Sequence, residues 1–190
     1  MQTIPNSPQP IDCALLEWRS ARRFQSTPIA ESTLRELLEL AVHAPCSRLA
    51  QPWRFSVPGK TTRTRLTRIA HDVTRGIAGS NAALQTAKML HQAPALVAVS
   101  VLYTNSQNIR AQREDYAAVC CAIQNLTLAA HARGLAIWWR SGYVVRHANT
   151  ASLFKLGANE ELVGLLHIGY PIAGVYQNLK PASNHTRWLE

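Results

Sequence analysis

The run Ala95–Leu102 constrains the fold of this chain more than any other segment. It reads Ala-Leu-Val-Ala-Val-Ser-Val-Leu and directly follows Pro94. A short, continuous apolar run of this kind predicts a fully buried strand, because it leaves no polar face for water. The wider apolar stretch Ala93–Leu102 is far shorter than the ~20 residues that a membrane helix needs. We therefore expect a central strand inside a soluble domain.

Helical patterns surround this strand in the sequence. Pro28–His43 carries leucines and an alanine at three- and four-residue spacing, and Asp115–Arg133 carries a similar apolar stripe. Gly134 predicts the end of that second helix, because glycine is favoured just after a helix. The other predicted segments are the helices Ile11–Arg23, Lys60–Arg75, Ala82–His91 and Ser152–Leu156, the strands Trp53–Val57, Leu135–Trp139 and Val163–Gly169, and the loops Gly76–Ser80 and Tyr103–Gln112. This order indicates an α+β fold with four or five strands and as many helices.

Length and composition favour a single domain over residues 1–190. The 190 residues are 47% hydrophobic, which is enough for one sizeable core. Residues 1–10 are polar and rich in proline, and they predict a loose N-terminal arm without the apolar run of a signal peptide. Residues 171–190 predict a C-terminal arm whose apolar side chains need a groove on this domain or on a partner subunit. We therefore expect a cytoplasmic protein.

The chain is strongly basic, with a formal net charge of +9 and a pI of about 10.0. Such a charge indicates an acidic protein partner, a phosphorylated ligand, or simply a gain in solubility. The basic stretch 60–75 contains no interleaved aromatic residues, so binding to nucleic acid is disfavoured. The four cysteines include no Cys-x-x-Cys pair and the seven histidines show no ligand spacing, so we expect no metal site.

The segment Ala44–Phe55, which we call the elbow, connects a predicted helix to a predicted strand. Pro52 fixes its own φ angle and predicts an extended conformation for Gln51. The Gln51 amide both donates and accepts hydrogen bonds, which suits the polar edge of a flat ligand. On local chemistry alone, an ordinary helix-to-strand connection is the simpler interpretation.

Two further clusters could contact an anionic or flat ligand. Arg19–Arg23 lies near the end of the first predicted helix, and two arginines with a hydroxyl group can hold a phosphate. The alternative for this cluster is a solvated charged face. Trp139–Gly142 lies where a predicted buried strand ends, and its glycine permits close approach of the backbone to a ring. The alternative for this segment is a simple strand-to-loop exit. The chain contains no Gly-x-Ser-x-Gly motif and no glycine-rich phosphate loop, so hydrolase chemistry is disfavoured.

Taken in order, these segments resemble the nitroreductase-like flavoprotein family. The matching segments are Arg19–Phe24, Pro28, Leu34–Ala41, Ala44–Pro45, Gln51–Phe55, Tyr116–Ala118, Gly134–Leu135, Trp139–Gly142 and Gly169–Pro171. They look most like the compact members of the family, a group that includes the catalytic subunits of cyclodipeptide oxidases. The resemblance implies a mostly antiparallel sheet flanked by helices, in an intertwined homodimer that holds FMN at the interface between its two chains.

The resemblance also implies a set of FMN-binding residues. These are Arg19, Ser20, Arg22, Ser47, Gln51, Trp139, Arg140, Ser141 and Gly142. Ser20 and Arg22 would bind the phosphate or the ribityl chain, with Arg19 nearby. The segment 139–142 would lie along the isoalloxazine, with backbone N–H groups near its reactive edge, and Ser47 and Gln51 would reach the flavin from the elbow.

Three positions depart from the family pattern. Trp18 stands where the family usually has the first arginine of an Arg-x-Ser motif, which removes or moves one phosphate contact. Leu49 stands where asparagine is common before Gln-Pro-Trp, and Cys46 replaces a usual serine. These changes bear on FMN affinity and on the nicotinamide partner more than on the fold.

The resemblance implies an FMN-dependent oxidoreductase that passes hydride or electrons from NAD(P)H to a small electrophilic acceptor such as a nitroaromatic, a quinone or an enone. The alternative is an FMN-dependent oxidase or dehydrogenase that desaturates a cyclic dipeptide or peptide-derived substrate with O₂ as acceptor, together with a small acidic partner subunit. Desaturation needs a base, and Tyr103, Tyr116 and Tyr143 are candidates. Trp18 and Leu49 leave a third hypothesis, a binding protein that has lost its flavin.

Overall fold

A four-stranded sheet between two layers of helices forms the core of the structure, a computed structural model that describes residues 10–172 and 182–189. The strands are β1 (Trp53–Ser56), β2 (Ala95–Leu102), β3 (Ala136–Arg140) and β4 (Glu160–Gly169). The helices are α1 (Pro10–Glu17), α2 (Glu31–Ala41), α3 (Lys60–Gln92), α4 (Ile109–His131), α5 (Tyr143–Arg146) and α6 (Ala148–Leu153), with short 3-10 turns at Ser47–Leu49 and Ala182–His185. Of the two predicted arms, residues 1–9, 173–181 and 190 lie outside the described ranges.

The strands pair in the order β1-β2-β4-β3, and every pair is antiparallel. The predicted α+β fold with a mostly antiparallel sheet is therefore confirmed. β2 is a central strand, and all of its residues except Leu102 are buried, as its continuous apolar run predicts. A bridge between Phe24 and Pro171 continues the pairing past the end of β4, where the N–H of Gln25 donates to the carbonyl of Tyr170 at 2.8 Å.

Each face of the sheet carries its own apolar cluster, because successive side chains of a strand point to opposite faces. On the α2 and α4 side, the largest cluster includes Leu37, Val97, Ile123, Leu126 and Leu166. On the α3, α5 and α6 side, a second cluster includes Leu66, Leu90, Leu96, Val145 and Leu165. Each such side chain contributes about 1.5–3 kcal/mol through burial, so the sheet is held from both faces.

Helix α3 consists of two helical halves that meet at a kink, so the two predicted helices are present and the predicted loop at 76–80 is reduced to a single residue. The chain is helical from Lys60 to Gln92 and departs from helical geometry at Gly79, whose φ is +82°. A glycine at positive φ redirects the chain within a single residue, so its neighbours stay helical. Arg63 ties the two halves together, because its Nη2 donates to the carbonyls of Leu90 and Ala93 at 2.9 and 2.7 Å.

Helix α4 begins earlier than the sequence predicts and shortens the predicted loop Tyr103–Gln112. The side chain of Asn108 accepts hydrogen bonds from the backbone N–H groups of Arg110 and Ala111 at 3.0 and 3.2 Å. This N-cap supplies acceptors for two N–H groups that have no partner within the helix. The helix therefore starts at Ile109.

Helix α1 is shorter than the predicted helix Ile11–Arg23. It ends at Glu17, and Nη1 of Arg19 donates to the carbonyls of Leu16 and Trp18, both at 2.6 Å. These carbonyls lie at the C-terminal end of the helix, where backbone oxygens lack helical partners and attract cations. The residues after Arg19 are thereby free to run along the sheet.

Candidate functional site

The first part of the candidate site is the sheet edge formed by β3. The segment after α1 runs along this strand, and the Ser20 hydroxyl donates to the carbonyl of Ile137 at 3.2 Å. Ala21 and Ala136 belong to the same small buried cluster. Since β3 has a strand on one side only, polar groups on its other side need partners from elsewhere. The segment Arg19–Arg22 is therefore fastened to β3 and does not extend the first helix.

Arg22, Trp138 and Arg140 form a group that we call the arginine–tryptophan stack. The guanidinium carbon of Arg22 lies 5.6 Å from the centroid of the Trp138 ring, and that of Arg140 lies 4.9 Å from it. Both distances are typical of cation–π contacts, each worth about 0.5–1 kcal/mol at exposed sites. Burial lowers the pKa of Arg140. Neither arginine belongs to the ion pairs found within residues 10–172 and 182–189, so the stack presents two positive charges.

His167 lies next to Trp138 in the register of β4 with β3. The two ring centroids are 5.3 Å apart and the ring planes are tilted by 41°. The imidazole is fully buried, and neither nitrogen makes a hydrogen bond of standard geometry to a described residue. Burial, followed by the charges of Arg140 and Arg63, lowers the pKa of His167 to about 3, against a weaker opposite effect of the Met89 backbone. At neutral pH, His167 is therefore an uncharged ring.

A cavity of about 290 Å³ opens where the chain leaves β3 and enters α5. Its lining includes Trp139, Arg140, Ser141, Gly142 and Tyr143. Ser141 and Gly142 are exposed, and a Cβ built on Gly142 would meet nothing within 4 Å. The backbone at this strand end is therefore open to a ligand, as the sequence segment 139–142 predicts.

A glycine on the neighbouring strand fixes the position of Trp139. Its indole Nε1–H donates to the carbonyl of Val163 at 3.3 Å. The ring lies over Gly164, where an added Cβ would be 2.1 Å from Nε1. Any side chain at Gly164 would therefore displace the indole.

The elbow lies at the opposite edge of the sheet, beside β1. Ser47 and Gln51 are both exposed there. Three of its residues, Arg48, Leu49 and Gln51, have φ angles of +52°, +55° and +47°. The prediction of an extended Gln51 is wrong, because the turn into β1 overrides the local preference that Pro52 imposes. Left-handed conformations of residues other than glycine cost roughly 1–2 kcal/mol each, so strain is concentrated in the elbow.

A larger, polar cavity of about 770 Å³ lies between the elbow and the start of α4. Its lining includes Ser47, Arg48, Asn105, Asn108 and Asp115. The buried Asp115 accepts hydrogen bonds from the backbone N–H and the hydroxyl group of Thr104, each at 2.8 Å. These bonds hold the connection between β2 and α4 against the helix.

One chain does not bring all of the predicted FMN-binding residues together. Ser20, Arg22 and the segment 139–142 lie at the β3 edge, whereas Ser47 and Gln51 lie at the β1 edge. β2 and β4 separate the two edges, a distance of about 14 Å at normal strand spacing. Within one chain, the width of the sheet therefore separates Ser47 and Gln51 from the residues at the β3 edge.

The three candidate tyrosines occupy two different places. The hydroxyl of Tyr103 donates to the carboxylate of Glu161, and burial followed by this bond raises the pKa of Tyr103. Burial also raises the pKa of Tyr116. Tyr103 and Tyr116 border one shallow depression on the protein surface. A phenol that stays protonated is a poor base, which disfavours that role for both residues. Tyr143 is 66% exposed and borders the β3 cavity.

Sequence reasoning missed three residues of this region. Trp138 is absent from the predicted set, which includes its neighbour Trp139, although adjacent residues of a strand point to opposite faces and have different surroundings. His167 is also absent from that set, although its place inside an apolar strand indicates burial. Gly164 lies in the same strand, and a glycine within a strand is a known sign of close approach by another group.

A metal site, a disulfide or a membrane span in the described part of the chain would point to other chemistry. Within residues 10–172 and 182–189, no three side chains of histidine, cysteine, aspartate or glutamate are grouped as metal ligands. The cysteines at positions 13, 46, 120 and 121 are all free thiols, and burial raises the pKa of Cys120. No helix in these ranges has the length and apolar character needed to cross a lipid bilayer.

Comparisons with known proteins agree with the fold and with the order of motifs. The nitroreductase family matches residues 15–170. The Bacillus subtilis protein YfhC, whose assignment as an NAD(P)H nitroreductase is provisional, is 31% identical over 157 residues, which cover 80% of each chain. A solved nitroreductase-like family protein from Bacillus cereus superposes with a TM-score of 0.83 at 26% identity, covering 98% of this chain and 100% of the other.

A further solved structure, from Desulfovibrio desulfuricans, is an FMN complex of a provisionally assigned nitroreductase. It superposes with a TM-score of 0.76 at 22% identity and covers 97% of this chain and 99% of the other. At this identity the likeness concerns the fold. Together with the family match over most of the sequence, these comparisons confirm the resemblance of the motifs: the chain belongs to the nitroreductase family.

Proposed function

We propose that this protein is an FMN-dependent oxidoreductase that transfers electrons from NAD(P)H to a small electrophilic acceptor such as a nitroaromatic, a quinone or an enone. Membership of the nitroreductase family, the name of the Bacillus subtilis relative and the FMN complex of the Desulfovibrio relative support the reaction class and the cofactor. The observation that carries the proposal for this chain is the arginine–tryptophan stack beside an open strand end.

The groups at the β3 edge have the chemistry that FMN requires. FMN combines a phosphate with a flat ring whose edge carries hydrogen-bond acceptors and gains negative charge on reduction. The stack offers two guanidinium groups without carboxylate partners in the described ranges, and arginine is well suited to phosphate. The open backbone at Ser141 and Gly142 offers room for the ring.

The side chains at the β3 edge are assigned to different parts of FMN. Ser20 and Arg22 bind the phosphate or ribityl chain, while Trp139 and Arg140 border the ring. Arg19 contributes less than the family pattern implies, because its guanidinium already donates to two carbonyls at the end of α1. This chain has Trp18 where the family usually has an arginine that contacts the phosphate. Because Arg19 is engaged at the end of α1, it does not replace that contact.

Completion of the site requires a homodimer. The elbow of a second copy brings Ser47 and Gln51 to the β3 edge of the first, because the sheet separates these residues within one chain. Gln51 then presents an amide that both donates and accepts hydrogen bonds to the ring edge.

When bound, FMN supplies the hydride and electron chemistry, so the protein contributes binding, orientation and electrostatics. The guanidinium of Arg140 and the backbone N–H groups at the end of β3 would stabilise negative charge on the bound ring. Because burial and Glu161 keep Tyr103 protonated, we assign no proton abstraction to it. The walls of the cavity exclude part of the bulk water from the reacting face.

Anaerobic reduction tests the proposal. Purified protein reconstituted with FMN should be yellow and should bleach when NADH or NADPH is added without oxygen. A stoichiometric flavin absorbance would also eliminate the hypothesis of a flavin-free binding protein. A yellow protein that neither nucleotide bleaches would contradict the nicotinamide-dependent version.

The alternative activity, oxidation of a peptide-derived substrate with O₂, remains a prediction with one supporting observation. The first half of α3 exposes Lys60, Arg65, Arg68 and Arg75, and the one acid nearby, Asp72, pairs with His71. Such a basic face suits a small acidic subunit. Co-purification of an acidic chain, together with anaerobic reduction of the flavin by a cyclic dipeptide, would favour this activity over the first.

A further inference from the structure

We propose that the polar cavity between the elbow and α4, which we call the elbow cavity, binds the electron acceptor, and that Arg48 selects acceptors that carry a carboxylate. The cavity measures about 770 Å³. Pockets for small molecules have volumes of about 300–1,000 Å³, so it has room for a substituted aromatic ring. This inference rests on the proposed function, to which it adds a substrate class and a residue outside the predicted FMN-binding set.

The elbow places the cavity next to the flavin of the proposed dimer. Ser47 belongs to the predicted FMN-binding set and also lines the elbow cavity, as does the next residue, Arg48. A side chain that contacts the ring from a cavity wall brings the contents of that cavity close to the ring. In the proposed homodimer, the elbow cavity of one copy therefore adjoins the flavin held at the β3 edge of the other.

Arg48 is the charge that the cavity leaves available to a ligand. Its exposed side chain makes no ion pair or hydrogen bond to a described residue. The other arginine of the lining, Arg110, is paired with Glu114, with an Nε–Oε1 distance of 3.1 Å. The carboxylate of Asp115 is 4% exposed and already accepts two hydrogen bonds from Thr104. The unpaired guanidinium therefore gives the accessible part of the cavity its positive charge.

Two asparagines add neutral hydrogen-bond donors to the same lining. The Oδ1 atom of Asn105 accepts from the N–H of Gln107 at 3.0 Å, and Oδ1 of Asn108 accepts from the N–H groups of Arg110 and Ala111. Because these bonds use the amide oxygens, the two NH₂ groups remain as donors. A carboxylate only accepts hydrogen bonds, and the planar fork of a guanidinium matches its two oxygens. The lining therefore favours a carboxylate over a neutral group of the same size.

The backbone of the elbow indicates a role for the Arg48 side chain. Arg48 has a φ of +52°, in the left-handed region where glycine is under the least strain. Strained residues of this kind are concentrated at ligand sites. The chain has arginine at this position, and that arginine lines the largest of the cavities described above.

A titration with benzoate and benzamide tests the charge preference. The two molecules have nearly the same size and shape, and only benzoate is charged. Protein reconstituted with FMN is titrated with each while the flavin absorbance is recorded. Arg48→Gln should lower benzoate affinity roughly five- to thirtyfold and benzamide affinity less than about twofold. Arg48→Lys keeps the charge but not the fork, so it should lose less.

Reoxidation kinetics test whether the bound molecule is the acceptor. FMN in the protein is reduced by light without oxygen and mixed with 4-nitrobenzoate or 4-nitrobenzamide in a stopped-flow instrument. Without NAD(P)H in solution, the phosphates of the nucleotide cannot compete for Arg48. The second-order rate constant for 4-nitrobenzoate should fall in Arg48→Gln by a factor similar to that for benzoate affinity, with that for 4-nitrobenzamide nearly unchanged.

Lys155→Gln serves as the matched control. Lys155 is an exposed cation with a φ of +56°, and it follows α6, outside the lining of the elbow cavity. Its replacement removes the same charge from the same backbone conformation. It should leave the ratio of benzoate to benzamide affinity within about twofold of the unmodified protein, because an exposed charge at a distance is screened. Circular dichroism and thermal unfolding establish that each variant is folded.

The outcomes separate the two proposals. If neither NADH nor NADPH bleaches the flavin, the proposed function is wrong, whereas benzoate binding and reduction by light require neither nucleotide. Equal affinities for benzoate and benzamide, or a preference that survives in Arg48→Gln or is lost equally in Lys155→Gln, overturn the inference alone. A preference in binding without one in reoxidation also overturns it. If Arg48→Gln does not fold, Arg48→Lys decides: a loss confined to benzoate supports the inference, and unchanged benzoate affinity overturns it.

Discussion

The two edges of the sheet present ligand-facing residues in opposite ways. At the β3 edge, the side chains are held by tertiary contacts, namely the Ser20 bond to Ile137, the stack on Trp138 and the slot above Gly164. At the β1 edge, the elbow is held by its own backbone, with three residues at positive φ. The β3 edge should therefore be sensitive to packing, and the elbow to the conformational preference of single residues.

Substitution Gly164→Ala should have the largest effect, because it attacks the packing of the β3 edge directly. The added methyl would overlap Nε1 of Trp139, so the indole must move and lose its bond to Val163. We expect the free energy of unfolding to fall by about 1–3 kcal/mol, with a shift in tryptophan emission. Urea unfolding followed by fluorescence measures both. Gly157→Ala, where nothing lies within 4 Å of the added Cβ, should change little, and an equal loss in both variants would contradict the argument.

The pH dependence of the free energy of unfolding tests whether His167, which lies against Trp138, is buried in its neutral form. His167 has a pKa of about 3 in the folded protein and an ordinary value of 6.5, so the unfolded chain binds the proton first as the pH falls. As the pH falls from 6.5 to about 3, His167 therefore lowers the free energy of unfolding by up to about 1.4 kcal/mol per pH unit.

The variant His167→Leu should lose stability less steeply between these two pH values. Urea unfolding at a series of pH values gives the slopes for the unmodified protein and the variant. His185→Leu, a change at an exposed position, controls for the loss of a histidine. Identical slopes for His167→Leu and the unmodified protein would show that the buried imidazole does not titrate as the structure indicates.

At the elbow, Leu49→Asn should have a smaller and opposite effect. Asparagine tolerates left-handed conformations better than leucine, and Leu49 is 84% exposed, so little burial is lost. We expect a gain of about 0.5–1 kcal/mol in the free energy of unfolding, measured by urea denaturation. The amide should also tighten FMN binding, since asparagine is common at this position in the family. Destabilisation would instead show that Leu49 is buried by a contact between chains.

Tyr103→Phe should have the smallest effect on activity. The Tyr103 hydroxyl donates to Glu161 and its pKa is raised, so the residue is a hydrogen-bond donor and not a base. Because this bond is exposed to solvent, we expect a loss of about 0.5–1.5 kcal/mol in stability, and a rate of anaerobic flavin reduction within about twofold of the unmodified protein. A rate lower by two orders of magnitude would return Tyr103 to the list of proton-transfer candidates.

Local patterns predicted much of the fold. The continuous apolar run became the central strand β2, and the stripe before Gly134 became α4, where Gly134 takes a φ of +69° as a residue just past a helix. Errors arose where one residue decides a boundary. Gly79 breaks α3 at a single residue instead of opening a loop, and Asn108 caps α4 inside the predicted loop Tyr103–Gln112.

The candidate site was predicted in part. The motif order led to the nitroreductase family and to the residues of the three segments, whose roles toward FMN remain proposals. Spacing along the chain could not indicate that Trp138 meets Arg22 or that His167 lies against it, because the first contact joins residues more than a hundred positions apart and the second crosses between strands.

Apolar periodicity and short motifs are local properties, so they were enough to predict the class of fold, the family and the segments that could reach a flavin. Tertiary packing was needed to show that these segments lie at two opposite edges, since strand order depends on which faces pack together. It also decided which charges are unpaired and which imidazole is neutral, because burial and nearby charge depend on neighbours that are remote in sequence.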